Sequence, residues 1–148
     1  MIALLQRVTE AAVEVDGKVI GSIDKGLMVL VGVEKGDNAD IAQRLADKLL
    51  KYRVFSDADD KMNLSVQDIQ GALLLVPQFT LAASTQKGLR PSFSSAASPA
   101  DGERLFNQFV SMLKTANCPL QTGQFGADMK VSLVNDGPVT FCLQIPSK

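Results

Sequence analysis

Apolar and polar positions along residues 2–23 follow the pattern of paired strands. Residues 2–8 are an apolar run broken at Gln6 and Arg7, and residues 11–15 alternate. Asp16-Gly17 is a tight-turn pair and residues 18–23 continue beyond it, so a β-hairpin is predicted. After a second turn at Lys25-Gly26, residues 27–33 are almost wholly apolar, as suits a central strand covered on both faces. The period then changes. Ile41, Leu45 and Leu49, with Ala42 and Ala46, form one stripe at i, i+4 spacing. Asp37 or Asn38 caps the start of this helix, which ends near Tyr52. Residues 53–55 read as a short strand and residues 57–60 as a polar turn.

Residues 72–76 read as a second buried strand, limited by Pro77. Residues 82–98 form a long loop of small side chains, a length usually tied to function or disorder. Ser98-Pro99-Ala100-Asp101 then has the cap, the N1 proline and the first-turn acid of a helix start. Leu105, Phe109 and Leu113, with Phe106, Val110 and Met112, give that helix its core face, and it ends near Asn117. Residues 120–122 read as a strand and 123–126 as a loop. Residues 130–134 alternate, Asn135-Asp136-Gly137-Pro138 reads as a turn, and 139–145 as a last strand. This order, with no repeat or linker, predicts one mixed α/β domain over residues 1–148. Its β-sheets are largely antiparallel hairpins with buried central strands, packed with two main helices.

Composition narrows the chemistry. The chain has 148 residues, of which 46% are hydrophobic, enough for a real core. Its 15 basic and 16 acidic side chains leave a net charge of −1, so any nucleic-acid contact is local and neither bulk DNA binding nor a membrane surface is expected. There is no histidine, which excludes a Ser-His-Asp or Cys-His relay and any His-ligated metal site. Cys118 and Cys142 lack motif spacing and read as small buried residues of a reducing compartment. Gln6 and Arg7 interrupt any signal-peptide core, and no apolar run approaches the ~20 residues of a membrane span, so a cytoplasmic protein is expected. No nucleotide loop or metal cluster is present, and Asp57, Asp59, Asp60 and Asn63 lack the glycine and closing glutamate of a calcium loop. No cofactor or metal is expected.

Three segments are candidates for chemistry. Gln78-Phe79-Thr80 closes a buried strand, where backbone N–H groups can serve as oxyanion donors without any special side chain. Thr80 is also a possible nucleophile, although no histidine is available to activate it. Lys87 and Arg90 are the only charged residues between Asp68 and Asp101, and suit a phosphate contact. Asn135-Asp136-Gly137-Pro138-Val139-Thr140 reads locally as an ordinary turn. Were its Gly-Pro bond cis, its carbonyl groups would be acceptors able to hold an ammonium group.

Taken in order, several segments resemble the D-aminoacyl-tRNA deacylase family, first described on D-tyrosyl-tRNA. They include Gln6-Arg7-Val8, Gly32-Val33-Glu34-Lys35-Gly36-Asp37, Lys61-Met62-Asn63-Leu64-Ser65 and Gln78-Phe79-Thr80-Leu81. They continue through Lys87-Gly88-Leu89-Arg90-Pro91-Ser92-Phe93, Thr122-Gly123-Gln124-Phe125-Gly126-Ala127-Asp128-Met129 and Asn135-Asp136-Gly137-Pro138-Val139-Thr140. One position departs: Pro77 stands where the family usually has serine, which removes a hydroxyl and a backbone N–H. The backbone donors at Gln78, Phe79 and Thr80 survive, so retained activity is the expectation.

The resemblance implies a deacylase-family fold, dimeric, hydrolysing the ester between a D-amino acid, or glycine, and the 3′-terminal adenosine of tRNA. It implies that Gly137-Pro138 is cis and reaches into the other subunit's site, holding the substrate ammonium by main-chain carbonyls and rejecting L-amino acids sterically. Gln78, Phe79 and Thr80 then stabilise the oxyanion, Phe125 and Met129 cradle the adenine, Arg7 braces the Gly137-Pro138 segment, and Lys87 and Arg90 meet acceptor-stem phosphates. Two other readings stay open: an RNA-end-binding dimer without turnover, and a small ester or amide hydrolase that uses Thr80.

Overall fold

In the computed structural model, which describes residues 1–147, the first strand is far longer than the hairpin pattern predicts. Lys148, included in the expected domain, lies outside the described residues. Strand β1 runs Ile2–Val15 without a break, β2 is Lys18–Ile23 and β3 is Gly26–Gly32. One edge of β1 pairs first with β3 and then with β2, and the other pairs along its length with β8, Lys130–Gln144. Helix α1, Ala39–Lys51, carries the chain across to β6, Ala72–Pro77, by way of the short pair β4, Phe55–Ser56, and β5, Met62–Leu64. Helix α2, Pro99–Lys114, then leads to β7, Leu120–Thr122.

These two crossovers make part of the sheet parallel. β6 pairs parallel to both β3 and β7, so the sheet is mixed; the pairs that β1 makes with β2, β3 and β8 are antiparallel, as expected. Parallel neighbours need a long connection, and α1 and α2 supply it. The apolar runs of β3 and β6 fit this placement, since both faces of these strands are covered. Leu27, Val29, Leu73 and Leu75 face the helices with Leu45, Leu49, Phe109 and Leu113. Met28, Leu74 and Val76 face the other way, against Val8, Val13 and Ile23. The sheet curls far enough that β2 reaches β6 and β7, giving a single α/β domain with a nearly barrel-like sheet.

Local signals explain the helix ends. Asn38 is the cap of α1, accepting from the Ile41 N–H at 2.9 Å. Asp37 caps nothing and binds the chain start instead. With Glu34 and the Ile145 carbonyl it holds the Met1 ammonium, at 2.9, 3.1 and 2.7 Å. That knot ties the starts of β1 and α1 to the end of β8. Ser98 caps α2 with Pro99 at its first position, and the helix stops at Lys114, before the expected Asn117.

Two further expectations are corrected. Residues 135–138 do not reverse the chain. Gln6 pairs with Thr140 and Val8 with Asn135, so Asp136, Gly137, Pro138 and Val139 face only Arg7 as a bulge within one strand. Turn-forming residue types are also those of bulges, and the hydrophobic pattern does not separate the two. Cys118 is buried, and burial pushes its thiol upward from the ordinary value. Cys142 is exposed, because Leu143 and Ile145 take the inward positions at that end of the chain.

Candidate active site

β6 ends at Pro77, paired with Val31 of β3, and beyond these carboxyl ends lies a cavity of about 460 Å³. Crevices beyond the carboxyl ends of parallel strands are the usual ligand sites of such sheets. The floor is Val31, Val33 and Pro77. One wall is the start of α2, from Ser98 and Pro99 to Gly102 and Phe106; Phe125 and Gly126 close a second side, and Phe79 and Phe93 the rim. The rings of Phe79 and Phe93 are 5.5 Å apart, and Phe79 is 62% exposed.

The chain leaves β6 through a single 3-10 turn, Phe79–Ala82. The Gln78 N–H continues the ladder and donates to the Val31 carbonyl at 2.8 Å. It is therefore committed, which corrects the expectation that all three amides are available. The N–H groups of Phe79 and Thr80 open the 3-10 turn and have no partner among the described residues, as the first donors of a helix must. Two adjacent free donors thus stand where the chain leaves β6; Phe79 belongs to the cavity lining, and Thr80, the next residue, does not. The Gln78 side chain donates from Nε2 to the Thr80 hydroxyl oxygen. Among the described residues the side-chain partner of the Thr80 hydroxyl is this carboxamide, which donates to it and is no base, an arrangement that does not activate it for covalent attack.

The other predicted residues are distributed unevenly. Phe125 lines the cavity, its ring centre 6.4 Å from that of Phe106. Met129 does not. It turns inward toward the core formed by β1, β2, β3 and β6, and its sulfur accepts from the Gln124 N–H at 3.4 Å. It holds the loop that carries Phe125 rather than lining the cavity. Lys87 and Arg90 are exposed, flanking Leu89 on a tip closed at its base by the Ser84–Ser92 bridge. Neither belongs to the cavity wall.

Arg7 and the Gly137-Pro138 segment form a second place. The peptide bond between Gly137 and Pro138 is cis, and both residues are exposed. Arg7 donates from Nε to the Asp136 carbonyl at 2.8 Å and from Nη1 to the Val54 carbonyl at 2.7 Å. Arg7 pairs with Leu27 and Leu27 with Leu73, whereas the cavity begins at Pro77. The bulge is thus displaced by four residues along the strands and three strands across them, roughly 20 Å at ordinary strand spacings. Within one chain the two halves of the predicted site are not together.

Residues 4–144 match the family model for D-Tyr-tRNA(Tyr) deacylase. A D-aminoacyl-tRNA deacylase of Marinomonas sp. is 62% identical over 143 residues, spanning 97% of this chain and 99% of its own. One from Haemophilus influenzae is 61% identical over 145 residues, 98% and 100% of the two chains. Among solved structures, one described as c-Myc DNA Unwinding Element Binding Protein is 40% identical, with a TM-score of 0.94 over 99% of each chain. A probable eukaryotic D-amino acid tRNA deacylase shares the fold at 17% identity, with a TM-score of 0.82 over 97% of this chain and 98% of that one.

Proposed function

This chain belongs to the D-Tyr-tRNA(Tyr) deacylase family and is a hydrolase, a D-aminoacyl-tRNA deacylase; from that premise we propose how it distinguishes its substrate and hydrolyses the ester. The observation that carries the proposal is the pair of unpartnered N–H groups of Phe79, which lines the apolar cavity, and of Thr80 next to it. Such donors stabilise charge on a carbonyl oxygen, and one of them can contribute about 3–4 kcal/mol in a transition state.

In this scheme the terminal adenosine enters the cavity against Phe125 and directs its aminoacyl ester to the Phe79–Thr80 turn. Water attacks the ester carbonyl carbon, and the resulting oxyanion is held by the two amides. The tetrahedral intermediate then breaks its bond to the ribose 3′-oxygen, which takes up a proton. Free amino acid and tRNA leave. The neighbouring 2′-hydroxyl orients the water, so no histidine is required.

Selection for D-amino acids falls to Gly137 and Pro138. Their carbonyls hold the ammonium group, and an L side chain then points into backbone while a D side chain points outward. Glycine has no side chain to reject and is accepted. Because the bulge lies roughly 20 Å from the cavity of its own chain and is exposed, it completes the cavity of a second copy in a homodimer. Lys87 and Arg90 serve the phosphates beyond the terminal nucleotide.

Deacylation of matched D-, L- and glycyl-tRNA tests this reading. Rapid release from the D and glycyl forms with the L form spared is the expected result. Equal rates for D and L would remove the steric account.

A further inference from the structure

The four-residue bulge of β8 has lost its ladder partners. Asp136, Gly137, Pro138 and Val139 face only Arg7 across the sheet, and proline has no N–H to offer. Yet Val139, the residue that returns the chain to the ladder, is buried, and its backbone is not left unpaired. The Asn135 side chain supplies the partners. Its Oδ1 accepts from the Val139 N–H at 2.6 Å, and its Nδ2 donates to the Val139 carbonyl at 3.3 Å and to the Thr140 hydroxyl at 3.0 Å.

One carboxamide thus joins the two ends of the bulge, making the bonds a neighbouring strand would otherwise make. Arg7 acts from the other side, through the Asp136 carbonyl. Gly137 and Pro138 are the exposed residues between these two attachments. A primary amide suits this position because it offers a donor and an acceptor on one rigid plane. A carboxylate of the same size keeps the acceptor and loses the donor, and alanine loses both.

We infer that Asn135 is a positioning residue for chiral selection, a carboxamide clip that fixes where the carbonyls of Gly137 and Pro138 point. This rests on the proposed role of those two residues in holding the substrate ammonium. Rejection by rigid atoms requires them to stay in place, since a loosened backbone admits an L side chain. Loss of Asn135 is therefore expected to erode the preference for D over L more than it slows turnover of the D substrate.

The test has two arms. In the first, amide hydrogen exchange at Val139 is measured in the wild-type protein, Asn135→Ala and Asn135→Asp. Protection is expected to be strong in the wild type, intermediate in Asn135→Asp and lost in Asn135→Ala. Full protection in Asn135→Ala would overturn the clip. In the second, initial rates on D- and L-tyrosyl-tRNA give the selectivity ratio. A fall of about tenfold or more in Asn135→Ala, with a smaller change in the D rate, supports the role. Faster exchange with an unchanged ratio overturns it. If Asn135→Ala fails to fold, Asn135→Asp decides by the same ratio, which must fall. A wild-type enzyme that does not discriminate would defeat the chiral reading and the positioning role together, while the exchange arm would still report on the clip.

Discussion

Gly102 of α2 and Phe125 of the loop after β7 are in contact: a Cβ built on Gly102 would lie 3.3 Å from the ring Cζ. The ring lies this close to the helix beside a position with no side chain, where even a methyl group would be tightly packed, and in lying there it forms one side of the cavity. Gly102→Val is expected to push the ring into the space assigned to the adenosine. The helix itself tolerates valine better than glycine, so the melting temperature should hold while KM for aminoacyl-tRNA rises roughly tenfold or more. An unchanged KM would remove Phe125 from the substrate site.

The amide of Phe79 can be separated from its ring. Gln78 has φ −142° and ψ 85°, outside the helical region that a following proline disfavours, and Phe79 opens a 3-10 turn, where proline is tolerated. Phe79→Ala removes the ring and keeps the N–H, whereas Phe79→Pro removes both. If the N–H stabilises the oxyanion, kcat of the proline variant falls a further ~10²–10³-fold below that of the alanine variant. Thr80→Val keeps its N–H and should remain close to wild type. A Thr80→Val enzyme as slow as Phe79→Pro would restore the covalent scheme.

Gly137 has φ +142°, a region unfavourable to any residue with a side chain, and an added Cβ would lie 2.6 Å from Val139 Cγ2 and 3.0 Å from the Val139 nitrogen. Gly137→Ala is therefore expected to cost roughly 1–3 kcal/mol of stability, read by denaturant melting, and to lower D-aminoacyl-tRNA turnover. An alanine variant with wild-type stability would mean that the bulge rearranges freely.

Asp68 accepts the Ser65 N–H at 2.8 Å while its own N–H donates to Ser65 Oγ at 3.1 Å. The bonds from Ser65 hold its carboxyl below the ordinary carboxylate value. A depressed carboxylate stabilises the fold above its unfolded pKa, and that contribution fades as pH falls through the folded value. Melting curves of wild type and Asp68→Asn should thus differ by a constant amount above about pH 5, and the difference should shrink as pH falls below the unfolded value toward and through the lower folded one. A difference that does not shrink on acidification would assign the effect to packing.

β3, β6 and both helices were legible because their signals are local: unbroken apolar runs at 27–33 and 72–76, the i, i+4 stripe of α1, and Ser98-Pro99 ahead of α2; the short strand Met62–Leu64 carries no such signal, and the one expected at 53–55 is Phe55–Ser56. The parallel pairing was less legible, since it depends on which strands the crossovers bring together. The bulge at 136–139 was hidden because glycine and proline mark a turn and a bulge alike, and only the register against β1 decides. The Gln78 N–H is free in the sequence pattern and is committed only because the fold brings the Val31 carbonyl to it. Met129 shares a loop with the cavity residue Phe125, yet its sulfur faces Gly123 and Gln124. Asn135 has no sequence signal, because a carboxamide bridging its own strand has no spacing signature.

The separation of the two halves of the site within one chain makes a strong demand on assembly. If Gly137 and Pro138 of one subunit serve the cavity of the other, two impaired variants must complement. Phe79→Pro spoils the cavity and keeps the bulge, and Gly137→Ala spoils the bulge and keeps the cavity. In a mixed dimer one site combines both defects, and the other combines an intact cavity with an intact bulge. Random reassortment of equal amounts makes half the dimers mixed, so about a quarter of the wild-type sites should recover. The two proteins would be unfolded, mixed and refolded together, then assayed on D-tyrosyl-tRNA against mixtures of separately refolded chains. Recovery only in the co-refolded sample is expected, and none in either sample would place the bulge outside the site of its partner.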